Sequence, residues 1–380
     1  MTRTCFILLL ALLLPACAGT SRLAEEIAAE GLNKRGMSLQ DAPAIRLQMI
    51  VTEVRDGRRK DHTFRADAEY FYPASTVKVL GAITAVHAFE HINAPLDSTL
   101  EWTDVTEGGR ALFVADKGEI RLDREIRRML IISDNESFNL CYDIVGQKEM
   151  NDLAHEWGLK SVRINHRLSR SVRPEMRTVT GGVTIRMNER DVVMIPERHG
   201  MTSNPCPPIP GLKVGEGVLR NGSMTNEPMD FTNHNRISLH DLHEMTIALT
   251  HPALSDIRIP IRDFDTVVAA MGTLPRESRD PEFDAKKYTD DWGKFLLPGV
   301  GRVIDPNRIQ IENKVGLAYG FLIDSARIID MNAHREFFMT VAMYVNSDGV
   351  LNDDRYDYET IGLPLMADLG EAAAKRLLRP

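Results

Sequence analysis

Three short runs in this chain hold residues able to do nucleophilic chemistry: Ser75-Thr76-Val77-Lys78, Ser133-Asp134-Asn135 and Lys314-Val315-Gly316. A serine hydroxyl attacks a carbonyl only once a base takes its proton. Lys78 follows Ser75 by three residues, which puts both on one face if the segment is helical. From Thr76 to Val86 it is the only ionisable side chain, set in an otherwise apolar run, "TVKVLGAITAV". A helix apolar all round belongs inside a protein. An unpaired ammonium there costs several kcal/mol or gives up its proton. Lys78 is therefore a candidate base, provided that burial and a neighbouring cation lower its pKa. Lys314, from a facing strand, could supply that cation. Negative charge developing at Ser75 would also gain from a helix N-terminus.

Each run has a plainer reading. Ser75 could simply cap its helix while Lys78 snorkels to solvent. Ser133-Asp134-Asn135 could be an N-cap cluster for the "ESFNLCYDIV" helix, a role compatible with catalysis. Lys314 alternates with Gln310 and Glu312, the pattern of a solvent-facing strand lysine. Order and context favour chemistry. At ordinary residue frequencies S-x-x-K arises about once per few hundred residues, but S-D-N only about once in several thousand.

The elements that must position these residues are readable in outline. Arg22 to Leu32 reads as a helix. Ile45, Leu47, Met49 and Val51 alternate with polar residues as a half-buried strand, Asp56-Gly57 marks a hairpin turn, and a second strand is expected near Phe64–Tyr72. The Ser75 helix starts just after Pro73. From about Glu90 to Ile257 helical patterns dominate. One helix stops at Gly158, and another opens with Ser238 and Asp241 at capping-box spacing. The segment from Arg276 to Leu297 is a charged excursion. After Pro306 come "RIQIENKVG", "YGFLIDSARIID" and "EFFMTVAMYVN", an antiparallel meander with "MNAHR" as its last turn. A closing helix is expected from about Gly362 to Leu378.

Strands at both ends with helices between imply an α/β (α+β) fold: an antiparallel sheet flanked by N- and C-terminal helices, with an inserted all-helical domain. The expected division is 1–18 as a leader, 19–73 as the first part of the sheet domain, 74–305 as the helical domain with insertions, and 306–380 as the second part of the sheet domain.

With the motifs in this order, the sequence resembles the serine β-lactamases of class A and the related penicillin-binding proteins, which carry S-x-x-K, S-D-N and K-T-G. "SDNESFNLCYDIVGQKEMNDLAHEWGLKSVRI" also resembles the helix that follows S-D-N in that family. The resemblance implies a β-lactamase-like fold and a Ser75 acyl-enzyme, with Lys78 as base. It implies that Ser133 passes a proton to the leaving nitrogen and Asn135 holds the substrate's side-chain amide. Lys314 and Gly316 would line the facing strand, and the backbone N–H groups of Ser75 and Leu317 would form an oxyanion hole. The substrate would be a small β-lactam or a cell-wall peptide, with no cofactor. Hydrolysis of a β-lactam is the leading activity. A D-alanyl-D-alanine peptidase, an esterase, or a penicillin-binding sensor that does not turn over are the alternatives.

Two departures stand out. Val315 replaces the Thr or Ser whose hydroxyl helps hold a β-lactam carboxylate. No E-x-x-L-N motif, the source of the deacylating base in class A, occurs in "VRINHRLSRSVRPEMR", where Glu175 is the nearest carboxylate. A different chemistry is also written in "HAFEH", where His87, Glu90 and His91 fit the H-x-x-E-H zinc-peptidase pattern. The helix ends at Asn93 and no third ligand is marked by a motif, so helix-end surface residues are the competing reading and no metal is expected. His240 and His243 are expected on the surface of their helix.

Of the 380 residues 43% are hydrophobic and 26% charged, as in a globular protein, and the net charge of −8 argues against a nucleic-acid binder. Arg3 leads into an apolar stretch from Phe6 to Leu14 that is too short to span a bilayer and has the shape of a secretory signal. Leu14-Pro15-Ala16-Cys17 resembles a lipobox, with lipid anchoring through Cys17 expected. Cleavage after Ala18 is the alternative. Either makes the protein exported, to the periplasm, and a monomer is expected. Cys141 and Cys206 are too few for a disulfide framework.

Overall fold

The computed structural model describes residues 21–106, 109–112, 119–170, 176–189, 191–200, 204–205, 207–220 and 222–379. The leader with Cys17, Glu175 and Cys206 all lie outside them.

Nine α-helices and fifteen strands are found among the described residues. The central element is a five-stranded antiparallel sheet assembled from both ends of the chain. Its strands are β1 (Gln48–Arg55) and β2 (Arg58–Phe64) from the start, and β12 (Ile309–Ala318), β13 (Phe321–Asp330) and β14 (Arg335–Tyr344) from the end, in the order β12-β13-β14-β1-β2. The hairpin turn falls at Asp56-Gly57, both with positive φ, as a two-residue primed turn requires. With Arg55 opposite Arg58, the second strand begins at once and ends at Phe64, rather than running from Phe64 to Tyr72. Positive φ at Arg65 and Asp67 breaks the extended run there. Tyr70, Phe71 and Tyr72 are buried all the same, in the layer beneath the cleft.

Helices α1 (Arg22–Lys34), α8 (Leu297–Val300) and α9 (Leu363–Leu377) cover one face of this sheet. The core there joins Ile27, Leu32, Met49, Val315, Met339 and Leu369. Helix α6 (Leu239–Thr250) lies against the other face, capped at Ser238, whose side chain accepts from the Asp241 N–H. His243 of this helix is buried, not exposed. Its ring bridges Thr52 Oγ1 at 2.7 Å and Thr340 Oγ1 at 2.8 Å across the sheet. His240 is exposed and paired with Asp67.

Between the two halves of the sheet runs the inserted part, built round α2 (Lys78–His91), which is buried on all sides from Lys78 to Val86. Packed about it are α3 (Leu122–Ile131), α4 (Asn135–Val145), α5 (Gln147–Glu156) and α7 (Phe264–Gly272). The insert is not wholly helical. Strands β3 (Thr99–Thr106), β4 (Gly109–Leu112), β5 (Ile120–Arg121), β6 (Val183–Arg186) and β7 (Val192–Ile195) form one antiparallel sheet. Short pairs follow: β8 (Lys213–Val214) with β11 (Met229–Asp230), and β9 (Gly217–Arg220) with β10 (Ser223–Thr225). Strand β15 (Val350–Leu351) joins β9 in parallel, so a C-terminal loop returns to the insert.

Candidate active site

The three motifs converge where β12 meets α2 and α4. Ser75 sits in a 3-10 turn, Ala74–Val77, that leads directly into α2 and so places Lys78 one turn further on. Strand β12 comes very close to this turn. A Cβ on Gly316 would lie 2.5 Å from the Pro73 carbonyl oxygen, so only glycine allows the approach. Ser133 adopts a left-handed backbone (φ 64°) between α3 and α4, a conformation that a non-glycine residue keeps only where its surroundings enforce it. Asp134 next to it caps α4, accepting from the Ser137 N–H, so the N-cap reading of that triplet holds alongside its place in the site.

The Lys78 Nζ is buried and lies 2.9 Å from Ser75 Oγ, 2.5 Å from the Ser133 carbonyl oxygen, 3.1 Å from Ser133 Oγ and 2.7 Å from Asn135 Oδ1. Burial, then the nearby Lys314 cation, lowers its pKa well below the ordinary lysine value, against a smaller opposing pull from Asp134. A neutral amine has two N–H donors and one lone pair. Two of the four neighbours, the Ser133 carbonyl and Asn135 Oδ1, can only accept, so they take both donors. The lone pair is left for a hydroxyl, and Ser75 Oγ is the nearer of the two on offer. Neither snorkelling nor mere capping describes this arrangement.

Lys314 is buried too, with Nζ 3.0 Å from Ser133 Oγ and 3.2 Å from the Val315 carbonyl. It is not a solvent-facing strand residue. Burial brings its pKa down to about 7, with Asp324 pulling up and Lys294 pushing down. Ser133 Oγ therefore touches both amines. Asn135 is oriented by its own amide, which donates to Ser169 Oγ at 2.8 Å. Ser169 is placed in turn by its neighbours: Asn139 on α4 exchanges two hydrogen bonds with the backbone of Leu168, and buried Arg167 pairs with Asp143.

A cavity of about 550 Å³ opens over Ser75, walled by Asn135, Leu317 and four tyrosines, Tyr72, Tyr319, Tyr356 and Tyr358. Leu317 is 40% exposed there. Val315 is 5% exposed and packs into the core on the α1–α9 side, so a hydroxyl at that position would point away from the cavity. Residues 162–170 contain no carboxylate, and Asp354 is the only one among the described residues lining the cavity.

Sequence reasoning missed Ser169, the tyrosine wall and a third buried lysine. Lys294 donates to the Met271 and Ile311 carbonyls and to Asn313 Oδ1, and Asn313 passes a hydrogen bond to buried Asp324. Only the apolar "YFYPAS" and "FLLPG" contexts hinted at these residues. In the H-x-x-E-H run, Glu90 is committed to the N–H groups of Arg262 and Asp263, and His87 packs on Trp157. Among the described residues no group of three or more His, Cys, Asp or Glu side chains could hold a metal ion.

Residues 28–208 match the model of the beta-lactamase enzyme family. Solved structures extend the likeness over nearly the whole chain. A β-lactamase from Sphaerobacter thermophilus is 17% identical with a TM-score of 0.51, covering 92% of this chain and 96% of its own. An ancestral class A β-lactamase is 15% identical with a TM-score of 0.53, covering 93% and 100%. The penicillin-binding protein PBP-A, solved as an acyl-enzyme complex with penicillin G, is 15% identical with a TM-score of 0.51, covering 93% and 95%. No curated protein matches. The chain thus has the β-lactamase fold and resembles the class A β-lactamase and penicillin-binding protein family, which supports a function of that type.

Proposed function

We propose that the protein is an exported serine hydrolase that forms an acyl-enzyme at Ser75, with a β-lactam or related cyclic amide as the leading substrate class. The observation that carries this reading is the 2.9 Å contact from buried Lys78 Nζ to Ser75 Oγ, with both amine donors engaged elsewhere. In this reading Lys78 takes the Ser75 proton as the oxygen bonds to the carbonyl carbon. The N–H groups of Ser75 and Leu317 hold the developing oxyanion. As the C–N bond breaks, Ser133 Oγ gives its proton to the departing nitrogen and is reprotonated from Lys78 across their 3.1 Å contact. Lys314, when charged, keeps the potential at the site positive, and Asn135 holds the acyl amide.

The wall of the cavity favours a second reading for the step that follows. Asp354, an exposed residue, is the only carboxylate in the described lining, which therefore offers no buried carboxylate base for deacylation, and a long-lived adduct fits a penicillin-binding sensor.

Incubation with benzylpenicillin followed by intact-mass and peptide mass spectrometry tests both. An adduct on Ser75 that is absent in Ser75→Ala is expected. Its loss within seconds supports a β-lactamase and its persistence for hours a sensor. If no adduct forms with a β-lactam or with a D-alanyl-D-alanine thioester, the acyl-enzyme reading is wrong.

A further inference from the structure

Beside the cavity over Ser75 lies a second one of about 630 Å³, and the two share Tyr72, Ser169, Tyr319 and Asn352 in their walls. The second compartment is cationic, in a chain that is acidic overall. Four arginines line it, but they are not equivalent. Arg167 is tied to Asp143, and Arg170 to Asp104 and Glu136. Arg177 and Arg220 form no ion pair among the described residues. Both bear electrostatically on the same ring, that of His234, so their charges converge on one region of the wall.

The histidines there add no charge of their own. Burial holds His166 at about 4 and His234 at about 3, and Arg177 pushes both in the same direction. Their rings, 5.2 Å apart and nearly perpendicular, meet Tyr72 and Tyr319 to make an aromatic floor. Asp230, the acid that bears on His234, accepts from the Thr232 hydroxyl and N–H. In the same wall the buried donors Nε of Arg170 and Nε and Nη1 of Arg167 have no hydrogen-bond partner among the described residues. Nε2 of His166 is unpartnered too; since Nδ1 donates to the Arg167 carbonyl, Nε2 is an acceptor and would take a donor group of a ligand, not its carboxylate. Arg177 is half-buried and Arg220 exposed, so two guanidinium groups without an ion pair among the described residues are free to meet an anion at this wall.

We propose that this compartment binds a carboxylate on the acyl portion of the substrate, held by Arg177 and Arg220 while the scissile carbonyl lies at Ser75. The inference rests on the acyl-enzyme reading and adds a substrate class to it: acyl groups bearing a negative charge. It also fits the burial of Val315, since the substrate's anionic group is then recognised on the acyl side.

Two penicillins that differ by one side-chain carboxylate, benzylpenicillin and carbenicillin, isolate the effect. The ratio of their acylation rate constants at Ser75, carbenicillin over benzylpenicillin, is expected to fall about tenfold or more in Arg177→Ala/Arg220→Ala, as for loss of a charge-assisted contact. It should be partly restored in Arg177→Lys/Arg220→Lys and should shrink in the wild type at high salt. General damage to the fold would slow both penicillins and leave the ratio unmoved, and an unmoved ratio overturns the proposal. If neither penicillin acylates Ser75, the β-lactam reading fails, but the compartment is still testable. Phenylmalonate should then bind more tightly than phenylacetate by ligand-observed NMR, with the difference lost in the double alanine variant. Equal binding of the two overturns the inference.

Discussion

The two faces of the five-stranded sheet are both buried, yet they are built from opposite chemistry. Towards α1 and α9 the side chains of Met49, Val51, Ile311, Val315 and Met339 make a mainly apolar layer, broken by the buried pair Asn313 and Asp324, which hydrogen-bond to each other. On the side of α2 and α7, the same strand β12 presents Lys314, with Lys78 buried close by, while Lys294 closes the sheet edge against Asn313. Alternation along one strand separates the faces, so neighbouring residues 314 and 315 belong to different environments. The difference teaches that the charged side is not stabilised by burial. It is tolerated because each amine is surrounded by carbonyl and hydroxyl oxygens and can lose its proton.

That contrast can be broken from either side. The largest effect is expected for Lys78→Met, which removes the base while keeping the volume. Acylation measured by stopped-flow or mass spectrometry should slow by about 10²–10⁴-fold. On the apolar face, Leu369→Ala should cost about 2–5 kcal/mol in denaturant unfolding while the acylation rate of the folded protein stays as it is. Val315→Thr sharpens the comparison, because it restores the family's residue at a position that faces the core. It should destabilise by about 1–3 kcal/mol and leave β-lactam acylation no faster. A faster reaction would show that residue 315 reaches the cavity.

The smallest effect is a slope with pH. Lys314 titrates at about 7 in the folded protein, whereas an unfolded lysine does so at about 10.4. Between those values the unfolded chain binds the extra proton, so stability should rise with pH, by at most about 1.4 kcal/mol per unit. The gain is complete above the unfolded pKa and is lost as pH falls to 7. Lys314→Met should lower that part of the slope by one proton's worth, leaving the contributions of Lys294, which titrates at about 8, and of Lys78, whose pKa is also well below the ordinary lysine value. Unfolding midpoints across pH 6–10 measure it.

How much of this was legible in the sequence depends on how local the signal was. The meander, the Asp56-Gly57 turn, the Ser238 cap and the stop at Gly158 follow from short-range chemistry and are found where expected. The motif residues Ser75, Lys78, Ser133, Asn135 and Lys314 do come together. What sequence could not give is three-dimensional. The burial of His243 comes from Thr52 and Thr340, nearly 200 and 100 residues away in the chain. The run "RTVTGGVTIRMNERDVVMIPERHG" reads as a small hairpin or loop, and β6 and β7 do pair as a hairpin there; the pairing of β3 with β6, about eighty residues apart, has no such local signal. Lys294 sits in a charged excursion whose composition says exposed, yet its ammonium closes the edge of β12 by bonding the Ile311 carbonyl.

The contact between Gly316 and the turn before Ser75 has a consequence for biogenesis. A ribosome delivers the nucleophile, its amine and the Ser133 loop long before it delivers the strand that roofs them, and Lys314 reaches Ser133 across 181 positions of chain. Until that last strand docks, water can reach Lys78, and in water an amine holds its proton. On the proposed mechanism the nascent polypeptide is thus chemically inert, and the Ser75 hydroxyl would be activated only by completion of the fold.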